Sequence, residues 1–167
     1  TWAWWDRYRA SFVNVVLGKH EVAARMVDKL IETERDPENF AMAAFTHQQI
    51  GNAEQAAAYI EEGRVTIDEF IELHGESTEV IVWIAMFYAV AEQADDVIRS
   101  LDKAYELGYR DHAYMGYMPL FDSVRNDPRY IEIVRQMRTD TERMRERVDT
   151  ARKTGDWESL LSDYLDI

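Results

Sequence analysis

Apolar residues recur at three- and four-residue spacing along the whole chain, with polar residues between them, a pattern that predicts an all-α protein. A first helix over Trp2–Leu17 gathers Trp5, Tyr8, Phe12 and Val15/Val16 on one side, widened by Trp2, Val13 and Leu17. Gly18 stands just past it, where a helix-ending glycine belongs. A second helix, about His20–Glu34, turns Val22, Ala23, Met26, Val27, Leu30 and Ile31 inward. Asp36-Pro37 reads as an N-cap followed by Pro at the first helical position. It opens a third helix, Pro37–Ile50, with Phe40, Ala41, Ala44, Phe45 and Ile50 inward and Gly51-Asn52 as its stop. The fourth, Ala53–Leu73, is unusually long and ends at His74-Gly75. The fifth opens at Ser77, runs to about Glu92 and is apolar nearly all round, so it is expected to be the most buried. After a break near Gln93–Asp95, a sixth helix over Asp95–Leu107 ends at Gly108.

The remainder reads as a closing piece. Pro119 starts a short helix carrying Leu120, Phe121 and Val124, and Phe121 and Tyr130 are expected to plug the open end of the last hairpin. Asn126-Asp127-Pro128 caps a long helix whose positions Val134, Met137, Thr141, Met144, Val148 and Ala151 alternate by three and four, a heptad seam. Thr139-x-x-Glu142 fits a capping box, yet the seam keeps phase across it, which favours one helix over about 128–152. The seam has two open uses: a polar-backed cap over the preceding hairpins, or a two-stranded homodimer contact. Gly155-Asp156 precedes a short final helix with Trp157, Leu160, Leu161, Tyr164 and Leu165.

The breakers also repeat. Gly18 and Gly51 are 33 residues apart, as are Ala23 and Ala56, and the third counterpart, Val97, follows 41 residues after Ala56. The eight extra residues fall in the extended fourth helix and the HGES turn. Hairpins of this kind bury their apolar faces by stacking on neighbours. The chain here resembles tetratricopeptide repeats, a helix–turn–helix family of 34-residue units. Phe40, Ala44, Gly51, Ala56, Ile60 and Gly63 stand at that family's signature places in the middle repeat; Ile81, Ile84, Ala85, Tyr88, Val97, Leu101 and Ala104 do so in the third. The first keeps Gly18 and Ala23 but departs at Arg7 and Asn14, and the third has Glu92 in place of the turn glycine. A narrower resemblance rests on Leu101, Lys103-Ala104-Tyr105, Pro119-Leu120-Phe121-Asp122, Arg125 and Asp127-Pro128-Arg129-Tyr130. It is similar to the C-terminal repeat regions of bacterial signalling proteins that begin with an adenylate/guanylate cyclase or a winged-helix domain. These resemblances imply an α-solenoid of about three hairpins, roughly 2–35, 37–74 and 77–108, closed by a turn and helical cap over 109–167. They imply one domain, cut from a longer protein.

Composition narrows the function. The net charge is −13, and between Glu54 and Asp96 stand eleven Asp/Glu and one basic residue, Arg64. Such a surface opposes a phosphate backbone, so no nucleic acid is expected to bind this segment. The longest apolar run, Val80–Ala91, has 12 residues against the roughly 20 of a membrane span, so no membrane insertion is expected. There is no cysteine, which excludes disulfides and fits the cytoplasm or the periplasm. His20, His47, His74 and His112 show no metal-ligand spacing, and no phosphate loop or nucleophile motif is present, so neither enzyme activity, metal nor cofactor is expected. What remains is a binding role. In stacked repeats the first helix of each hairpin lines the concave face. By that resemblance the inward residues are Trp5, Tyr8 and Phe12, then Ala41, Phe45, Gln48 and Gln49, then Val82, Trp83 and Met86. Aromatic anchors with a few amides suit a protein or peptide partner. A metabolite in the same concavity, which would make this a sensing domain, and a second copy of the chain are the other occupants weighed. The opposing expectation is that these residues are core, or that the chain's own tail fills the groove.

Overall fold

The computed structural model describes residues 2–158 together with 161 and 162, with side chains from Asp6 onward. The side chains of Trp2 and Trp5, and residues Leu160, Tyr164 and Leu165, lie outside the described residues. Among the described residues the regular structure is entirely helical: α1 (Trp2–Val16), α2 (His20–Ile31), α3 (Pro37–Gln49), α4 (Ala53–His74), α5 (Thr78–Val90), α6 (Ala94–Glu106), α7 (His112–Tyr117) and α8 (Pro128–Thr154), with a 3-10 turn at Pro119–Phe121. The caps are those the sequence carries. Asp36 accepts from the Asn39 amide at 2.8 Å, Ser77 from Val80 at 3.3 Å and Asp127 from Arg129 at 2.8 Å.

Packing follows chain order. α1 lies on α2 and α3, α2 on α3, α3 on α4 and α5, and α5 on α6. Ala23, Ala56 and Val97, the small or compact residues just after each turn, are all buried, which lets paired helices approach. Gly63 serves a second close approach: a Cβ there would strike the Phe87 ring and the Phe40 Cβ, so a side chain would wedge α4 off α3 and α5.

The three hairpin turns share one geometry. Gly18, Gly51 and Glu92 all have positive φ, 68°, 78° and 58°. Each donates its amide three residues back, and the next residue donates five back: Lys19 to Asn14, Asn52 to His47, Gln93 to Tyr88, at 2.9 Å each. This is the Schellman closure, which satisfies carbonyls that a helix end leaves free. Glu92 adopts it without being glycine, so the departure noted in the sequence is one of residue type and not of backbone.

The closing piece differs in part from expectation. Residues 112–117, read as loop, form α7, capped by Asp111 on the Tyr114 amide at 2.9 Å. The 3-10 turn then packs on α5 and α3, and α8 lies on α6 and α7. Met115, Met118, Leu120, Phe121 and Val124 are each at most 2% exposed, so this stretch belongs to the core. Phe121 and Tyr130 meet at 5.8 Å between ring centroids. The carbonyls ending α7 have no helical partner, and Arg125 supplies one. Its guanidinium donates to the carbonyls of Met115, Gly116 and Met118 at 3.2, 2.7 and 2.7 Å. Tyr130 adds a bond to the Met115 carbonyl at 2.9 Å. α8 is one helix to Thr154. Thr139 bonds back to the Arg135 carbonyl at 3.0 Å instead of capping a new helix.

Two stability measurements bear on these devices. Arg125→Ala strips three charge-assisted bonds from the carbonyls of Met115, Gly116 and Met118, two of them part-buried, and is expected to lower unfolding stability by about 1–3 kcal/mol in urea titration. A loss under about 0.5 kcal/mol would show that water replaces the guanidinium. Glu92→Gly relieves a left-handed residue worth about 1 kcal/mol, so the melting temperature should rise by about 2–4 °C, whereas Gly51→Ala should lower it.

Candidate functional site

Several of the residues expected to line a concave face are packed within the chain itself. Ala41, Phe45, Val82 and Met86 are buried. Phe12 stacks on Tyr114 at 6.2 Å, and the Tyr114 hydroxyl donates to the Met86 sulfur at 3.2 Å. Ser123 donates to the Ala89 carbonyl of α5 at 2.7 Å. The stretch from Tyr114 to Val124 therefore sits on the face made by α1, α3 and α5, and among the described residues it covers that face. The physical reason is the surface to be covered: α5 is apolar all round, and the stretch that follows α6 supplies the apolar cover. Gln48 bonds the Val90 carbonyl at 3.2 Å and ties the ends of α3 and α5, while Gln49 stands exposed. The Trp5 side chain is outside the described residues.

Two polar clusters, one around the buried Glu38 and one around the buried His47, hold this stack in register. At the first, the Tyr8 hydroxyl donates to Glu38 Oε1 at 2.7 Å, joining α1 to the first turn of α3. Glu38 is 5% exposed. Burial pushes its carboxyl up to about 8, with Asp36 adding repulsion and the Tyr8 bond opposing. Burial, reinforced by Glu38, pushes the Tyr8 phenol up as well. At the second, His47 Nε2 bonds Asp28 Oδ1 at 3.0 Å, Tyr59 donates to the same oxygen at 2.8 Å, and the Asn52 amide meets His47 Nδ1 at 3.2 Å. An amide donating to Nδ1 leaves Nε2–H to donate to Asp28, so His47 links α2, α3 and α4 as a structural group. His20 packs edge-on against Phe45 at 5.7 Å, and His112 opens α7. Among the described residues no three His, Asp or Glu side chains converge on a metal-binding geometry. No described helix is long and apolar enough to cross a membrane.

Trp83 faces elsewhere. It is half-buried and meets Phe70 at 6.1 Å, and Phe70 meets His74 at 4.3 Å. These rings line a cleft of about 640 Å³ together with Leu73, Val80, Ser77, Thr66, Glu34, Arg35, Asp36 and Glu69. Its origin is a length mismatch. α4 has 22 residues and α3 has 13, so α4 runs past the start of α3 and reaches the α2–α3 loop. The excess amounts to about 13 Å of helix. This is where the eight-residue excess over the repeat period lies. Burial holds the Asp36 carboxyl up to about 6 against its two capping bonds, and the nearby charge of Glu34 adds to the effect. The sequence reading placed Trp83 on the concave face. The usable signal for the cleft was the extra length itself.

The heptad seam of α8 is largely used within the chain. Met137 and Ala151 are buried and Val134 half-buried, while Met144 is 43% exposed beside Ala113 and Val148. Comparison with protein-family models, with curated proteins and with solved structures finds no match to this chain.

The Glu38 cluster gives a signed pH prediction. Its folded pKa lies above the unfolded value of about 4.5, so the stability linked to it is complete below pH 4.5 and is lost as pH rises through 8. Glu38→Gln keeps an acceptor for Tyr8 and removes the charge. Its advantage over the parent in urea unfolding should grow between pH 5 and 8, by at most about 1.4 kcal/mol per pH unit. Parallel pH profiles for the two proteins would rule out the buried ionisation.

Proposed function

We propose that this chain is a non-catalytic protein-interaction module built of tetratricopeptide-like hairpins with a helical cap. Its partner surface is the acidic flank where α4 outruns α3, not the concave face. The observation that carries this reading is the end of α4. Leu73 is 75% exposed there, beside the half-buried rings of Phe70 and Trp83, and Val65 is 72% exposed two turns earlier. The same helix carries six carboxylates and one basic residue. An isolated exposed leucine says little. An exposed leucine beside a recessed aromatic cleft and uncompensated carboxylates is the composition of a docking surface for a basic partner. The concavity, by contrast, is filled by side chains at most 2% exposed, which a partner would have to expel.

The cleft is partly open, and Leu73, 75% exposed, lines it. That shape suits a side chain delivered by a protein segment better than a metabolite enclosed on all sides. A homodimer through residues 128–152 is disfavoured because Met137 and Ala151 of that seam are already covered within the chain.

A photo-crosslinking residue at position 73, introduced in the cells that make the protein, tests the reading. The expected result is a discrete adduct whose crosslinked peptide is rich in Lys or Arg, weakened by high salt. The same residue at Ile131, which is 53% exposed on α8, should give none. An identical adduct pattern at both positions, or none at position 73, would refute the assignment.

A further inference from the structure

We infer that the cleft at the end of α4 is a receptor for a single arginine side chain of the partner, stacked on Trp83 and Phe70 and paired with Glu34 and Glu69. The inference rests on the reading that this flank binds a protein, and it names the chemistry of the contact. Three observations point to a guanidinium. First, the walls are aromatic: Phe70 stands between His74 at 4.3 Å and Trp83 at 6.1 Å, and a cation is attracted to the face of such rings. Second, the cleft is lined by more carboxylates than cations. Glu34 and Glu69 line it, and among the described residues neither is held in an ion pair, whereas Glu62 further up α4 is taken by Arg35 at 2.8 Å. Asp36 adds charge to the same wall while its oxygens stay on the Asn39 amides, at 2.8 and 2.7 Å. Third, the chain displays the same pairing at the edge of the cleft. The Arg35 guanidinium lies 5.1 Å from the Phe40 ring centroid with one nitrogen on Glu62. Arg35 also lines the cleft, with its guanidinium held by Phe40 and Glu62.

Guanidinium fits better than ammonium for a physical reason. It is planar, so it stacks on a ring while its edge donates to carboxylates. It is also weakly hydrated, so leaving water for a half-closed cleft is less unfavourable. A lysine ammonium would keep its water and meet the rings only as a point charge. Three carboxylates, Glu34, Asp36 and Glu69, line the cleft against one cation, Arg35, a balance that opposes an anionic ligand.

The test uses the whole chain and defined peptides. Acetyl-Gly-Gly-Arg-Gly-Gly-amide is titrated against ¹⁵N-labelled protein while the Trp83 indole N–H is followed, assigned by loss of its signal in Trp83→Phe. Twin peptides replace Arg by citrulline, which has the same shape without charge, or by Lys. The Arg peptide is expected to give a saturable shift. Citrulline should bind at least about tenfold more weakly, Lys several-fold more weakly, and the paired substitution Glu34→Gln/Glu69→Gln should reduce Arg binding about tenfold with the helical circular dichroism unchanged. No saturable shift at tens of millimolar Arg peptide, equal binding of citrulline, Lys binding as tightly as Arg, or indifference to the carboxylate substitutions would each overturn the inference. If the position-73 crosslink forms while the Arg peptide leaves Trp83 unmoved, the interaction reading stands and the arginine receptor falls. If both fail, both fall.

Discussion

The seating of Tyr114–Val124 on the face of α1, α3 and α5 is the interaction on which the rest of the structure depends. Without it, the apolar helix α5 would present an uncovered side, and the ends of α7 and the 3-10 turn would have no core to join. Four of its side chains, Met115, Met118, Leu120 and Phe121, are at most 2% exposed. At about 1.5–3 kcal/mol each, their burial is worth on the order of 10 kcal/mol, an upper value because the unfolded chain already hides some of that surface. This is comparable with the whole stability of an ordinary domain. A partner able to lift the segment would have to supply nearly all of that, so reversible opening of the concavity is not a plausible way to bind. The energetic argument, more than the shape, moves the search for a contact surface to the outside of the stack.

The buried polar groups tell the same story about register. Glu38 is unreachable by solvent and answers Tyr8; Asp28 answers His47 and Tyr59 together. Each cluster joins elements that apolar packing alone would leave free to slide, because a shift of one residue would strand a buried carboxyl or imidazole without its partner. The carboxylates of this chain therefore fall into two populations. Those inside are matched and fix how α1, α2, α3 and α4 meet. Those on the α4 flank and the α2–α3 loop include Glu34 and Glu69, which the fold does not use.

Most of the fold was legible because its signals are local. The caps at Asp36, Ser77 and Asp127, the turn glycines and the continuous phase of the α8 seam each depend on residues within a few positions of one another. α7 was not legible: HAYMGY is short and carries a glycine and two tyrosines, so it offers no apolar period, although Asp111 three residues before Tyr114 was a usable cap signal. The candidate site was less legible than the fold, for a related reason. On a helix apolar all round, the pattern cannot say which face meets which neighbour. Val82 is buried and Met86 turned to Tyr114, while Trp83, one residue on from Val82, turned to Phe70. Glu38 looked like an ordinary acid in a first helical turn, because Tyr8, which buries it, lies 30 residues away. His47 and Asp28, 19 apart, were hidden in the same way.

The repeat pattern itself supplied the most useful irregularity. A hairpin stack with equal helices covers each helix end by the next turn. Here α4, at 22 residues, overruns its 13-residue partner α3, and its last turns have only the α2–α3 loop and the start of α5 beside them. A helix end in that position should be polar throughout, yet it keeps Leu73 and packs Phe70 against Trp83. Burial inside the chain cannot explain Leu73, which the fold leaves 75% exposed. Solubility cannot explain the pairing of rings with carboxylates, since an acidic face needs no aromatic floor. A surface that must hold a cation by charge and by ring contact together requires both, and the extra length of α4 is what places them in one cleft.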